Sequence, residues 1–434
     1  MLNRKSFLQR AAIATTGLSL LEWMQPAQAA LLQQHLKRIN TLPPGEAAND
    51  EDFWSLIREQ YTVSPNVINL NNGGVSPQPK PVQDAHIRFY QYSNEAPSYY
   101  MWRILDQGRE PLRGKLAELA GCSPEEIAIN RNTTEGLNSI IFGLPLKAGD
   151  EVVLSKYDYP NMMNAWKQRE KRDGIKLVWL DWEFPLEDES AIVNKFSDAI
   201  TAKTKLVHVT HMMNWTGQVL PARKIADMAH AKGCEVLVDG SHSFVHLDYK
   251  ISDLNCDYFA TSLHKWMCAP FGTGFMYIRK EKIGKIWALL SAPTPDGEDI
   301  RKFESLGTRS FAAEMAIGNA IDFHYLIGGK RKEERLRYLK NYWCNKVKDL
   351  PKVKLYTSLK PEFSCALATF TVEGWKPEEI DRKLFDSRKI HASVVNFEAL
   401  KGVRITPHVY TTTRDLDKLV ECIKEMSMGE PPKN

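Results

Sequence analysis

Asp257-Tyr-Phe-Ala-Thr-Ser-Leu-His-Lys265-Trp-Met-Cys-Ala-Pro-Phe-Gly-Thr-Gly-Phe-Met-Tyr-Ile-Arg279 is the stretch whose reading decides the fold. An apolar run at 258–260 enters it and another at 275–278 leaves it, and both predict short buried strands. Between them stand Ser262, His264 and Lys265, then a Pro-Phe-Gly-Thr-Gly turn. A lysine alone in such a place is more often a surface residue whose stem lies along apolar neighbours. Held between buried strands, its charged form is disfavoured and the amine becomes available as a nucleophile.

The upstream context favours the second reading. Glu235-Val-Leu-Val-Asp239-Gly-Ser-His242 predicts a β-branched strand that ends in an acid. Ligands of open α/β sheets sit beyond the carboxyl ends of the strands, where Asp239 falls. Taken alone, Asp239 reads equally well as a cap or turn former. An acid on one strand end and a lysine on the next strand pair suit pyridoxal 5'-phosphate (PLP). The lysine forms the Schiff base and the acid keeps the pyridine nitrogen protonated.

Ser262-x-His264-Lys265 together with Asp239-x-x-His242 resembles the class V aminotransferases, of PLP fold type I, a family that includes cysteine desulfurases, kynureninases and isopenicillin N epimerases. The phrase from His264 to Tyr277 is most similar to the isopenicillin N epimerase branch. The resemblance runs over roughly residues 65–427. It implies a large α/β domain with a mostly parallel, seven-stranded type of sheet and a small C-terminal α+β domain. It also implies an amino acid as substrate.

Other stretches read in the same direction. A strand at 127–129 runs into Asn130-Arg-Asn-Thr133-Thr134 and a helix at 137–142. A hydroxyl-rich turn at a helix start is a ready anion site, although Thr133 is equally explained as a cap. The resemblance implies that Thr133 and Thr134 bind the cofactor phosphate, with Ser262 and His264 completing the cup. It implies that Tyr159 stacks on the cofactor, where an aromatic loop residue otherwise plugs a hinge. It places Asn214 and His242 near the phenolic oxygen. It puts Asn72 and Gly73, with Gly74, at the mouth of the site as substrate contacts, where a Gly-Gly pair otherwise marks a plain turn. Arg404 falls on an apolar strand and needs an anionic partner. That partner is either an internal carboxylate or, as the resemblance implies, the substrate α-carboxylate. Gly307-Thr308 follows a Pro/Gly-rich linker at 292–297, and the resemblance implies that Thr308 reaches the phosphate held by a partner subunit. A homodimer is expected on that ground.

Between these landmarks strands at 151–155, 177–182, 206–210 and 236–238 alternate with helices at 161–172, 188–200 and 222–232. This βαβ rhythm predicts a parallel sheet covered on both faces. Helical sequence at 312–350, broken at Gly328-Gly329, contains the expected boundary between a large domain (65–315) and a small one (316–434). A strand at 365–372 and a helix at 376–385 open the latter. A helical arm (30–64) precedes both.

Composition sets the outer bounds. The 434 residues are 43% apolar and 25% charged, which is ordinary for a globular chain. A net charge of +4 is too small to point to nucleic acid, and no apolar run is long enough to span a membrane. Seven scattered cysteines have no zinc-like spacing and read as small core residues rather than a disulfide framework, and no metal is expected. Residues 1–29 read as a targeting segment. Asn3-Arg4-Lys5-Ser-Phe-Leu resembles a twin-arginine export signal with lysine at the second arginine, and Ala27-Gln-Ala29 is a small-x-small cleavage site. Export, to a periplasm, is therefore expected.

The residues leave epimerisation, elimination and transamination open. A binding protein on the same scaffold lacks a reason to assemble Lys265, Asp239, Arg404 and the phosphate cup together. The region 381–403, where a desulfurase of the family carries its sulfur-accepting cysteine, has none. Epimerisation needs Lys265 and a second proton donor, for which Tyr159 or a water serves. Epimerase chemistry is therefore expected first, C–S lyase chemistry second and transamination third.

Overall fold

The computed structural model describes residues 26–431. The expected export signal at Arg4-Lys5 lies outside them, while the expected cleavage site at Ala27–Ala29 falls in the first turns of a helix, Pro26–Ile39. No helix among the described residues is long and apolar enough to cross a membrane.

The strands, in chain order, are β1 (Ile68–Asn69), β2 (Ile127–Asn130), β3 (Glu151–Ser155), β4 (Lys176–Leu180), β5 (Thr204–Thr210), β6 (Glu235–Asp239), β7 (Tyr258–Ser262) and β8 (Gly274–Ile278). They continue with β9 (Val353–Leu355), β10 (Ala368–Val372), β11 (Ile390–His391), β12 (Ser393–Phe397) and β13 (Leu400–Ile405). β2–β8 build one seven-stranded sheet in the order β2-β8-β7-β6-β5-β3-β4. Only β8 runs against the rest. The mostly parallel sheet expected from the βαβ rhythm is thus present.

Apart from the edge strand β4, its strands are buried on both faces, and alternate residues divide between two cores. Val236, Val238, Val207 and Phe259 face one core. Leu237, Leu206, Tyr258 and Ala260 face the other. The helix Thr133–Gly143 lays Leu137, Ile140 and Ile141 on the second face. It comes close because Gly136 has no side chain, since a Cβ there would meet Ala260 Cβ at 2.9 Å. Burying both faces fixes the register, because a slip by one residue would exchange the two sets.

The C-terminal part carries a four-stranded antiparallel sheet, β12-β13-β10-β9. Leu339 and Trp343 of the helix Gly329–Val347, Phe370, Val403 and Ile405 of the sheet, and Leu419 and Ile423 of the last helix, Thr413–Met428, share one core. The N-terminal helices dock beside it. Glu51 pairs with Arg335 at 2.6 Å, and the Arg335 guanidinium lies over the Trp54 ring.

Two differences from the sequence reading affect the site. The segment after residue 390 pairs as a tight hairpin, β12–β13, joined by Glu398-Ala399, with Phe397 stacked flat on Trp215 at 4.7 Å. β10 begins at Ala368, so Cys365 precedes the strand rather than lying in it. The helix Lys80–Glu95, opened by Pro81, was not read from the sequence at all. All seven cysteines are free.

Candidate active site

The parallel strands end around a cavity of about 240 Å³. β6 delivers Asp239 and β7 delivers Ser262 with the Leu263–Lys265 turn. The turn beyond Lys265 is held from behind, as Trp266 lies between the rings of His246, 3.6 Å away, and His408, 5.6 Å away. The buried Lys332 ammonium donates to the Trp266 carbonyl.

The anion cup is built of hydroxyls. Ser262 Oγ accepts the Thr133 N–H at 2.9 Å and lies 2.8 Å from Thr133 Oγ1, which in turn accepts from Ser241 Oγ at 2.8 Å. The helix that starts at Thr133 is capped by Asn132, whose Oδ1 accepts from the Glu135 N–H. The capping reading of Thr133 is therefore replaced. Its hydroxyl remains with the cup at the positive end of the helix. Thr134 and His264 line the same cavity. His264 Nδ1 donates to the Thr273 carbonyl, and burial, with Lys265 next to it, lowers its pKa to about 4. A neutral imidazole is thus in place at neutral pH. Ser241 and Asn132, which also line the cavity, were missed by the sequence reading, although the Asp239-Gly-Ser-His242 phrase held Ser241 in plain view.

Lys265 Nζ lies 3.3 Å from His242 Nε2. Burial lowers the lysine pKa to about 8, with Asp239 opposing the shift and Arg404 adding to it. Asp239 is buried, and its Oδ1 accepts the Ser241 N–H at 2.7 Å. Burial raises its pKa, as does the neighbouring Asp158, while Lys265 tempers the rise.

Across the cavity stand Asn214, Arg404, Gly73, Gly74 and the half-exposed Tyr159. Among the described residues Arg404 makes no ion pair with a carboxylate. Its guanidinium donates to the Asn214 carbonyl and to Asn71 Oδ1, both at 2.9 Å, in place of the internal salt bridge. The β1–β11 pairing and a bridge from Asn71 to Thr406 zip the segment before Gly73 to the end of β13. A Cβ at Gly73 would come within 3.0 Å of Thr406 and 3.3 Å of His242, so glycine lets the loop reach the site.

Two expected residues stand elsewhere. Asn72 is fully buried behind the loop and does not line the cavity. Its Oδ1 accepts from Tyr410 Oη at 2.6 Å and its Nδ2 donates to the Thr406 carbonyl at 2.8 Å, so its polar capacity is used in holding the loop. The expected substrate contact of Asn72 is corrected to that structural role. Thr308 is exposed and outside this cavity.

The residues fit PLP. Buried polar atoms with no partner among the described residues, His242 Nδ1, Asn214 Oδ1 and Arg404 Nε, belong to residues around the lysine, and hydroxyls gather at a helix start. The sheet and this site define a PLP-dependent enzyme of fold type I. The family model for aminotransferase class-V matches residues 68–419, and the chain belongs to that family. It is 28% identical to isopenicillin N epimerase of Amycolatopsis lactamdurans over 86% of this chain and 98% of that one. It is 27% identical to a probable cysteine desulfurase of Synechocystis sp. over 88% and 96%. The solved structure of a cysteine desulfurase from Thermococcus onnurineus superposes with a TM-score of 0.76 at 24% identity, covering 87% of this chain and 98% of that one.

Proposed function

We propose that this enzyme inverts the Cα configuration of an amino acid, as an isopenicillin N epimerase-like epimerase or racemase. The observation that carries the reading is the set of groups around one cavity: the Lys265 amine, the Tyr159 phenol, the Arg404 guanidinium and the Asp239 carboxylate, with no thiol among the lining residues. PLP, when bound, supplies the electron sink that makes the Cα proton acidic.

The rest falls to side chains of this chain. Arg404, held by the Asn214 carbonyl and the Asn71 side chain, receives the substrate carboxylate. Lys265, poised near neutrality, takes or returns the proton at Cα. Tyr159, the phenol lining the same cavity, or a water beside it, serves the other face. Asp239 faces the site as the acid that matches the pyridine nitrogen. Thr133, Thr134, Ser241, Ser262 and His264 receive the phosphate.

The likeness to named epimerases supports this order. A second reading, cleavage of a C–S bond by elimination, is supported by the likeness to cysteine desulfurases and needs no acceptor thiol. Transamination stands third. We further propose an exported homodimer in which Thr308 approaches the partner's phosphate. Incubation with a panel of L- and D-amino acids in heavy water tests the reaction. Deuterium at Cα with inversion is expected. Pyruvate or sulfide without inversion would move elimination to the front, and stoichiometric keto acid would do so for transamination.

A further inference from the structure

Behind Asp239 lies a set of buried polar groups that do not line the cavity. Asp158 and His208 are each 1% exposed. The Trp166 indole N–H donates to His208 Nδ1 at 2.7 Å. An indole nitrogen can only donate, so Nδ1 is the accepting nitrogen and the neutral ring carries its proton on Nε2. Burial lowers the His208 pKa to about 4, which keeps the ring neutral. Its Nε2 faces Asp158 Oδ2 at 3.3 Å.

On the other side of the Asp158 carboxylate, Oδ1 accepts the Tyr159 N–H at 2.6 Å. Burial pushes the Asp158 pKa up to about 6, and this hydrogen bond and the Thr210 side chain oppose the rise. Thr210 is also the register partner of Asp239 across β5 and β6, which brings the two acids together at the sheet end.

We infer that Asp158 is a positioning residue for the cofactor ring: a second buried carboxylate, set between Tyr159 and the His208–Trp166 pair, that strengthens the hold of Asp239 on a protonated ring nitrogen. A single buried acid opposite a pyridine nitrogen shares its proton according to the balance of the two affinities. A second anion behind that acid shifts the balance toward keeping the proton between the pair. Because Asp158 directly precedes Tyr159, the same carboxylate also anchors the aromatic residue over the cavity.

The test compares PLP with its deaza analogue, in which carbon replaces the ring nitrogen. Both are titrated into the full-length unliganded protein and its Asp158→Asn variant, which keeps the size of the side chain and an acceptor for the Tyr159 N–H. The variant should bind PLP about ten-fold more weakly, one pKa unit of lost coupling, while its affinity for the deaza analogue stays within about two-fold. Equal weakening for both ligands, or no change for either, overturns the inference, because a structural role would not discriminate at the ring nitrogen. A second measurement reads the orientation of His208 directly. Nitrogen-15 NMR of histidine-labelled protein should show His208, assigned by His208→Gln, as the neutral tautomer protonated at Nε2. A ring protonated at Nδ1 would refute the orientation on which the inference depends.

Discussion

Lys265 Nζ stands 3.3 Å from His242 Nε2, and the histidine is held well below its ordinary pKa by burial and by the charges of Lys265 and Arg404. A neutral imidazole beside the amine accepts a hydrogen bond without adding charge. Burial, with the Arg404 charge adding to it, lowers the lysine pKa to about 8 from the ordinary 10.5.

This relationship fixes a pH dependence. The attacking species is the free amine, and its fraction at pH 7 is about a tenth, against about one in several thousand for an unperturbed lysine. The rate of PLP uptake by the unliganded protein should therefore rise about ten-fold per pH unit from pH 6 and level off near pH 8. Stopped-flow absorbance measures it. A rise that continues to pH 10 would mean an unperturbed amine. In Lys265→Ala the borohydride-reducible attachment should vanish.

Arg404 has two of its donors satisfied by Asn214 and Asn71, and burial lowers its pKa to about 10. It remains a cation at neutral pH with no carboxylate to balance it. Arg404→Lys should lower kcat/KM for amino acids about a hundred-fold, the loss of about 2–3 kcal/mol of charge-assisted hydrogen bonding. The spectrum of bound PLP should change little. Steady-state kinetics and absorbance read the two effects separately.

How much of this was legible in the sequence depends on where each partner lies. Periodicity placed Asp239, Ser262 and Lys265 at strand ends and their short connections, and the family resemblance gave them their expected roles. Thr133 was legible as an anion ligand or a cap, and only the Asn132 side chain decided between these. Asn72 was misread because its partners, Thr406 and Tyr410, lie more than 330 residues away in the chain. Asp158 and His208 went unread for a similar reason. A histidine inside the strand Thr204–Thr210 looks like any core residue until the indole of Trp166 fixes its proton. The β12–β13 hairpin was missed because the segment carries no Asn-Gly or Asp-Gly turn signal.

Thr308 is exposed, and Tyr99, Trp102 and Ile104 nearby in the fold's surface segment are each more than two-fifths exposed. The Arg309 guanidinium, next to Thr308, lies over the Trp102 ring, so the two segments share one face. An aromatic face of this kind suits a second subunit. The full chain should sediment as a dimer, and Thr308→Ala should weaken PLP binding with the dimer intact. A monomer with full cofactor affinity would contradict the shared site.

Export carries its own prediction. Processing after Ala29 would remove the start of the helix Pro26–Ile39 and leave Leu32 and Ile39, which are buried in the core, in place. The mature protein should therefore be as stable as the precursor and begin at Ala30. N-terminal sequencing of protein from the source cell's periplasm checks this. Unprocessed protein found only in the cytoplasm would rule it out.

The last prediction concerns sulfur. A desulfurase needs a thiol that can swing to the substrate on a mobile loop. In this chain the corresponding region closes into the β12–β13 hairpin, pinned by Phe397 flat on Trp215, and contains no cysteine. Cys268 is near Lys265 in sequence but fully buried, with its Sγ 3.4 Å from a His408 nitrogen behind the loop, and burial raises its pKa. Cys365 is buried with its Sγ against the Glu333 carbonyl, and burial pushes its thiol up to about 12. A neutral, enclosed thiol is a poor nucleophile. When the loaded enzyme is incubated with L-cysteine and trapped with an alkylating agent, mass spectrometry should find no persulfide on any cysteine of this chain. Sulfide released into solution without a protein persulfide would place the activity with the C–S lyases. A persulfide on Cys268 would show that the loop behind Lys265 opens far enough to expose it, and the epimerase reading would give way to a desulfurase.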